Sequence, residues 1–197
     1  MEGKLIFISG GARSGKSSFA ERHAISLAKL EKKALYYLAT SKVTDGEMHE
    51  RMKRHQHDRD GSDYPWRTIE SSTNLWKVAN KLQPNSIVLL DCLTVWLTNE
   101  MFRDGLMDDV WMDEIKQKEL IDKMMKSVAA ILGHVDTLLI VSNEVLNENV
   151  YDRSLVQCYS KLLGELHQKL VEQADTAYLV EAGIPLLMKG EQLCVES

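Results

Sequence analysis

Cysteine is scarce in this chain. Cys92, Cys158 and Cys194 are odd in number, widely spaced and without a C-x-x-C pair, so neither a disulfide framework nor a cysteine-based zinc site is suggested. Three reduced thiols are expected. No apolar run approaches the roughly 18 residues of a membrane span, and Met1-Glu2-Gly3-Lys4 runs straight into an aliphatic stretch instead of a signal sequence. A cytoplasmic protein with no membrane span is the expectation. An excess of positive charge is lacking too. The 24 Lys and Arg stand against 29 Asp and Glu, a mildly acidic balance that argues against nucleic acid as the main partner. Small nucleotides remain open as ligands. Repeats and low-complexity segments are also missing. The 197 residues are enough for one well-buried α/β domain and few for two, so a single domain over 1–197 is expected.

What the chain does have is Gly10-Gly11-Ala12-Arg13-Ser14-Gly15-Lys16-Ser17, which satisfies the phosphate-binding pattern G-x-x-x-x-G-K-[ST] at every fixed position. The aliphatic Lys4-Leu5-Ile6-Phe7-Ile8-Ser9 before it reads as a buried strand, and Phe19, Ala20, His23, Ala24, Leu27 and Ala28 after it recur at helical spacing. That strand–loop–helix context is the one a Walker A loop requires. Glycine lets backbone N–H groups turn toward anionic oxygens, and the helix N-terminus adds its positive end. Lys16 can reach the outer phosphates, and Ser17 can hold Mg²⁺.

Further strands are expected at Ala34–Leu38, Trp66–Glu70, Ser86–Asp91 and Thr137–Ser142, with a terminal pair at Tyr178–Val180 and Leu186–Met188 joined through Gly183. Helical patterns cover Asn74–Leu82, Asp113–Gly133 and Asp152–Gln173, whereas Cys92–Phe102 reads as a loop with helical character. Strands alternating with helices predict a doubly wound, mostly parallel sheet flanked by helices, with a C-terminal strand pair and the nucleotide at the carboxyl edge. Ala39-Thr40-Ser41 leaves one strand at that edge, where small hydroxyl residues suit either a nucleotide contact or a polar turn. Asp91 ends an aliphatic run in the manner of a Walker B acid that orders Mg²⁺ or its water. Asn143-Glu144 is delivered to the same edge.

From Glu47 to Asp58 a helical stripe of Met48, Met52 and His55 is expected within a heavily charged segment. Arg51, Lys53, Arg54, His55, His57 and Arg59 form its basic cluster. A solvated surface helix accounts for such a run. The sharper reading makes one histidine a nucleophile toward phosphorus, with arginines neutralising phosphate charge. A zinc site of His49, His55 and His57 is weaker, because the spacing lacks an i, i+4 pair and no cysteine is near.

Several stretches together resemble the bifunctional adenosylcobinamide kinase and adenosylcobinamide-phosphate guanylyltransferase family, a P-loop family with a RecA-like core. The resemblance rests on Ser9 through Ser17, Tyr37-Leu38-Ala39-Thr40-Ser41, and the E-M-x-x-R-x-x-x-H-x-x-x-R spacing from Glu47 to Arg59. It continues through Trp66-Arg67-Thr68 with Glu70, Leu89 through Thr94 with Thr98-Asn99, and Ser142-Asn143-Glu144-Val145, and so runs nearly end to end. It implies phosphorylation of adenosylcobinamide from ATP or GTP, then transfer of GMP from GTP to the product through a GMP-histidine intermediate, with Mg²⁺ in both steps. By motif position the intermediate falls on His55, with His57 as the local alternative. The implied nucleotide contacts are Gly10 to Ser17, Ala39, Thr40 and Ser41, Gln56, His57, Asp58 and Arg59, Glu70 and Asp91, and the implied metal residues are Ser17 and Asp91. A homotrimer is implied as well. Since His55 must reach the α-phosphate, the Glu47–Asp58 helix is expected to move relative to the loop.

Two departures from the family pattern stand out. The acid at Asp91 is commonly Glu there, and Leu146-Asn147-Glu148-Asn149-Val150-Tyr151 replaces a glycine-rich, proline-containing loop. A P-loop kinase of another small alcohol, or a nucleotide-dependent switch, are the alternative readings.

Overall fold

The computed structural model describes residues 3–41, 61–62, 64–102, 113–144 and 153–191. In chain order they form β1 (Lys4–Gly10), α1 (Lys16–Glu31), β2 (Leu35–Ala39), β3 (Trp66–Glu70), a 3-10 helix (Leu75–Lys81), β4 (Ile87–Asp91) and α2 (Leu93–Met101). α3 (Glu114–Leu132), β5 (Thr137–Asn143), α4 (Arg153–Gln173), β6 (Thr176–Glu181) and β7 (Ile184–Lys189) follow. The expected Glu47–Asp58 helix lies outside the described residues.

The strands make one sheet in the order β3-β2-β4-β5-β1-β6-β7. Every neighbouring pair is parallel except the β6–β7 hairpin. Parallel neighbours need crossovers, and α1 lies in that from β1 to β2, α2 and α3 in that from β4 to β5, and α4 in that from β5 to β6. The sheet is therefore covered on both faces, which is why its central strands read as near-continuous aliphatic runs. Ile6, Ile8, Leu35, Tyr37, Leu89, Leu139 and Val141 pack with Ala20, Ala24, Leu27 and Ala28 of α1. Their alternates Leu5, Phe7, Tyr36, Leu38, Val88, Leu90, Leu138 and Ile140 pack beneath α2, α3 and α4. β5 stands between the loop-bearing β1 and the Asp91-bearing β4, which is the RecA-like arrangement of a P-loop fold. None of the described helices is long and apolar enough to cross a membrane.

The segment expected to be a loop with helical character is a nine-residue helix, α2. Leu93, Trp96, Leu97 and Met101 fall on one stripe, and all four are buried. The polar residues that obscured this pattern have structural partners. The Glu100 carboxylate accepts from the backbone N–H of Asn74 at 2.7 Å and from Trp96 Nε1 at 3.3 Å, and pairs with Lys123 of α3. Asn99 Nδ2 donates to the carbonyl of Thr40 at 2.7 Å. The Asn74–Leu82 pattern is realised as the 3-10 helix. At the start of α3, the Asp113 carboxylate accepts from the N–H groups of Ile115 and Lys116, satisfying donors that have no intrahelical partner.

Two histidines, His23 buried and His167 half-buried, are held neutral. His23 of α1 stacks on Phe19 with ring centroids 5.5 Å apart and meets the edge of Tyr178 at 5.8 Å. Its Nε2 has no partner among the described residues. His167 of α4 sits 2.7 Å from Ser142 Oγ and edge-on to Phe7. Burial lowers the pKa of both, that of His167 to about 4.

Two outcomes follow from this packing. Glu100→Ala removes the acceptor for Asn74 and Trp96 but leaves a Lys123 that still reaches water. The loss should be about 2 kcal/mol, below the roughly 3–5 kcal/mol of a sealed ion pair, read as a lower urea midpoint. The histidines resist protonation in the fold and not in the unfolded chain. Below about pH 6.5 the unfolded state therefore binds more protons, and stability falls as pH drops through that value toward about 4. Urea midpoints measured from pH 7 to pH 5 should decline, and His167→Asn should flatten the decline.

Candidate active site

The phosphate loop begins where β1 ends. Ser14 N–H donates to the carbonyl of Gly11 at 3.2 Å, closing the first turn, and Phe19 N–H donates to that of Gly15 at 3.0 Å, opening α1. Gly15 has φ +88°, a left-handed conformation that glycine adopts without a steric cost. No side chain caps α1, and its first turn carries no acid. The backbone N–H groups of the first turn and the helix's positive end are therefore suited to face an anion. Lys16 is buried, its Nζ donating to the Gly11 carbonyl at 3.0 Å. The ammonium is thus held over the start of the loop. Ala12 and Arg13 are exposed, Ser17 is half-buried, and Ser14 Oγ is buried with no partner among the described residues.

The terminal hairpin clasps this loop from the far side. Gly183 N–H, in the turn between β6 and β7, donates to the Ser14 carbonyl at 2.8 Å. A Cβ added to Gly15 would lie 3.2 Å from the Gly183 Cα, and one on Gly10 would run into the Val180 carbonyl oxygen. The glycines of the motif therefore serve two ends, loop conformation and close packing against β6–β7.

Along the carboxyl edge, register aligns the other expected residues. Ala39 pairs with Asp91 on one side and Glu70 on the other. Asp91 is half-buried, and Tyr37 Oη donates to its Oδ2 at 2.9 Å. That bond fixes the carboxylate's direction. Burial, with the Asp91 charge beside it, raises the Cys92 thiol to about 11, so Cys92 is inert. Glu70 is exposed at the end of β3, the outermost strand.

Of the two roles open to Thr40, a nucleotide contact or a polar turn, its hydroxyl is engaged with backbone in this structure. It is fully buried, and its Oγ1 accepts from Cys92 N–H at 2.9 Å and lies 2.9 Å from the Cys92 carbonyl and 3.2 Å from that of Asp91. Its hydroxyl braces β2 against β4, because a buried hydroxyl must find a partner within the protein. Ala39 is also buried, which leaves half-buried Ser41 as the accessible member of the three.

His55, Gln56, His57, Asp58 and Arg59 lie outside the described residues, as does the loop 146–151. The zinc reading of His49, His55 and His57 falls outside them too. Among the described residues there is no cluster of three His, Cys, Asp or Glu side chains fit to hold a metal. A site of Ser17 and Asp91 would be completed by phosphate oxygens and water, as Mg²⁺ sites usually are.

Two residues at this edge belong to the site although motif reading assigned them no contact. Asn143 Nδ2 donates to Thr94 Oγ1 at 3.1 Å. Glu144 N–H donates to the Gly10 carbonyl at 3.0 Å, and its Oε1 accepts from Ser9 Oγ at 3.3 Å. The signal was present in the aliphatic strand that ends at these polar residues, but only the pairing of β5 with β1 brings them to the phosphate loop.

Residues 6–188 match the model of the cobinamide kinase / cobinamide phosphate guanyltransferase family. The chain is 33% identical over 188 residues to the bifunctional adenosylcobalamin biosynthesis protein CobU of Salmonella typhimurium, covering 94% of this chain and 99% of that one. It is 34% identical to the bifunctional adenosylcobalamin biosynthesis protein CobP of Pseudomonas aeruginosa, covering 94% of this chain and 98% of that one. Among solved structures, the flagellar accessory protein FlaH of Methanocaldococcus jannaschii aligns with a TM-score of 0.48 and 14% identity, covering 96% of this chain and 80% of that one. That likeness is too distant to add to the fold assignment. A family match that spans nearly the whole chain, over a phosphate loop with an acid one strand removed from its neighbour, makes this protein a member of the cobinamide kinase / cobinamide phosphate guanyltransferase family of cobalamin biosynthesis.

Proposed function

We propose that the protein phosphorylates adenosylcobinamide from ATP or GTP and then transfers GMP from GTP to the product, giving adenosylcobinamide-GDP. The observation that carries this reading is the clasped phosphate loop, with Lys16 held over it and Asp91 directed by Tyr37, in a chain of this family. Loop N–H groups and the N-terminus of α1 bind the triphosphate, and Lys16 stabilises charge on the outer phosphates. Ser17 and Asp91 supply hard oxygen donors suited to Mg²⁺, which when bound neutralises phosphate charge. The Asp91 carboxylate is shorter than the family's usual Glu, and Tyr37 anchors it toward the metal role. Ser41 and Glu70 are the accessible groups for nucleotide on the β2–β3 side. In the second reaction His55 attacks the α-phosphorus as neutral imidazole and pyrophosphate leaves. A phosphate oxygen of the corrinoid then displaces the histidine. Gln56, His57, Asp58 and Arg59 complete the nucleotide contacts in this reading. A cytoplasmic location belongs to the same reading, as a compartment that supplies both nucleoside triphosphates.

The protein also assembles as a homo-oligomer, a trimer by resemblance to the family. Support comes from β7, exposed along its length with Ile184, Leu186, Leu187 and Met188 all open to solvent, an apolar strip of the kind that marks an interface.

Two experiments test these readings. Incubation with α-labelled GTP should leave acid-labile label on His55. His55→Ala should abolish GMP transfer while sparing phosphorylation of adenosylcobinamide, whereas Lys16→Ala should lower both by about 10²-fold or more. Absence of label removes the guanylyltransferase assignment. Sedimentation equilibrium should give a trimer for the wild type and smaller species for Leu186→Lys; a wild-type monomer refutes the assembly.

A further inference from the structure

The kinase half-reaction needs a group to take the proton of the attacking hydroxyl, and the residues discussed so far do not supply one. Lys16 is a cation, Asp91 is tied to Tyr37 and in the reading above would hold Mg²⁺, and His55 in that reading attacks the α-phosphorus. Glu144 is a carboxylate at the phosphate loop with no task yet assigned. Resting on the kinase reading above, we propose that Glu144 is the general base that accepts the proton of the acceptor hydroxyl during phosphoryl transfer.

The placement follows from the strand pairing. Asn143 pairs with Gly10, and Glu144 N–H donates to the Gly10 carbonyl, so the carboxylate stands at the opening of the loop. Lys16 Nζ rests on the next carbonyl, that of Gly11. In this motif the lysine reaches the β- and γ-phosphates. Glu144 therefore lies at the outer-phosphate end of the cradle. The other edge carboxylates are further off. With strands about 4.8 Å apart, Asp91 is two strands from β1, on the order of 10 Å, and Glu70 is four strands away, on the order of 19 Å.

The side chain is exposed, and among the described residues its partner is Ser9 Oγ, 3.3 Å from Oε1, which leaves carboxylate oxygen for an incoming hydroxyl. An unneutralised carboxylate beside a triphosphate opposes nucleotide binding, so affinity does not explain its presence there. In the step itself, the acceptor oxygen forms a bond to the γ-phosphorus as its proton passes to Glu144. The bond from that phosphorus to the β-bridging oxygen breaks, and its electron pair leaves with the nucleoside diphosphate.

Glu144→Gln keeps the shape, the backbone bond to Gly10 and an acceptor for Ser9, and removes the negative charge together with the basicity. Phosphorylation is assayed with adenosylcobinamide and GTP, GMP transfer with adenosylcobinamide phosphate and GTP, and GTP affinity by equilibrium binding. The expected result is a kcat for phosphorylation lower by about 10²-fold or more, with GTP bound at least as tightly and GMP transfer unchanged. An unchanged kcat overturns the proposal. So does a parallel fall in affinity and in both reactions, which would make Glu144 structural, or recovery of kcat at high Mg²⁺, which would make it a metal ligand. Wild-type protein that phosphorylates no corrinoid overturns the kinase reading itself, and this inference with it.

Discussion

The constraint on which the rest of the structure depends is geometric. Several backbone N–H groups must point at one anion while the chain turns from a strand into a helix. That requires left-handed backbone at Gly15, and a loop so shaped has little of its own to hold it. The support comes from the end of the chain, where Gly183 N–H bonds the Ser14 carbonyl and the Val180 carbonyl closes on Gly10. β6 and β7 therefore belong to the site, although they carry none of the motif residues. Lys16 rests on Gly11 within this frame, so little reorganisation is left for the moment of binding.

A second layer of order runs along the carboxyl edge of the sheet. Because neighbouring strands are in parallel register, Glu70, Ala39 and Asp91 end level with one another, while Asn143 and Glu144 extend to the start of the phosphate loop. Small polar bonds keep this edge rigid. Thr40 ties β2 to Cys92, Asn99 of α2 holds the Thr40 carbonyl, and Tyr37 directs Asp91. Reactive groups on rigid strand ends are held more precisely than loops could hold them.

Much of this was legible from residue patterns. The Walker A spacing placed β1, the loop and α1, and the third strand at Trp66–Glu70 was read to its bounds. The long helix over 113–133 followed from its apolar stripe. α2 was not legible as a helix, because Thr94, Asn99 and Glu100 interrupt the hydrophobic pattern with side chains whose partners lie on other elements. The role of Thr40 stayed open for a related reason: a hydroxyl at a strand's carboxyl end looks the same in sequence whether it faces a ligand or a neighbouring backbone.

By itself the sequence determined the elements and the chemistry that local pattern encodes. These are the phosphate loop, whose residues are contiguous, and the aliphatic strands, whose composition reports burial on both faces. The family likeness, with its two reactions, also rests on contiguous motifs. Tertiary structure alone decided what depends on pairing between distant segments: that β5 separates Asp91 from the loop, that Thr40 is sealed while Ser41 is open, that a hairpin some 170 residues downstream clasps Ser14, and that Glu144 meets Gly10. The physical reason is that a strand's neighbours are chosen by hydrogen-bond partners and by the crossovers between them, and neither is written in the strand's own residues.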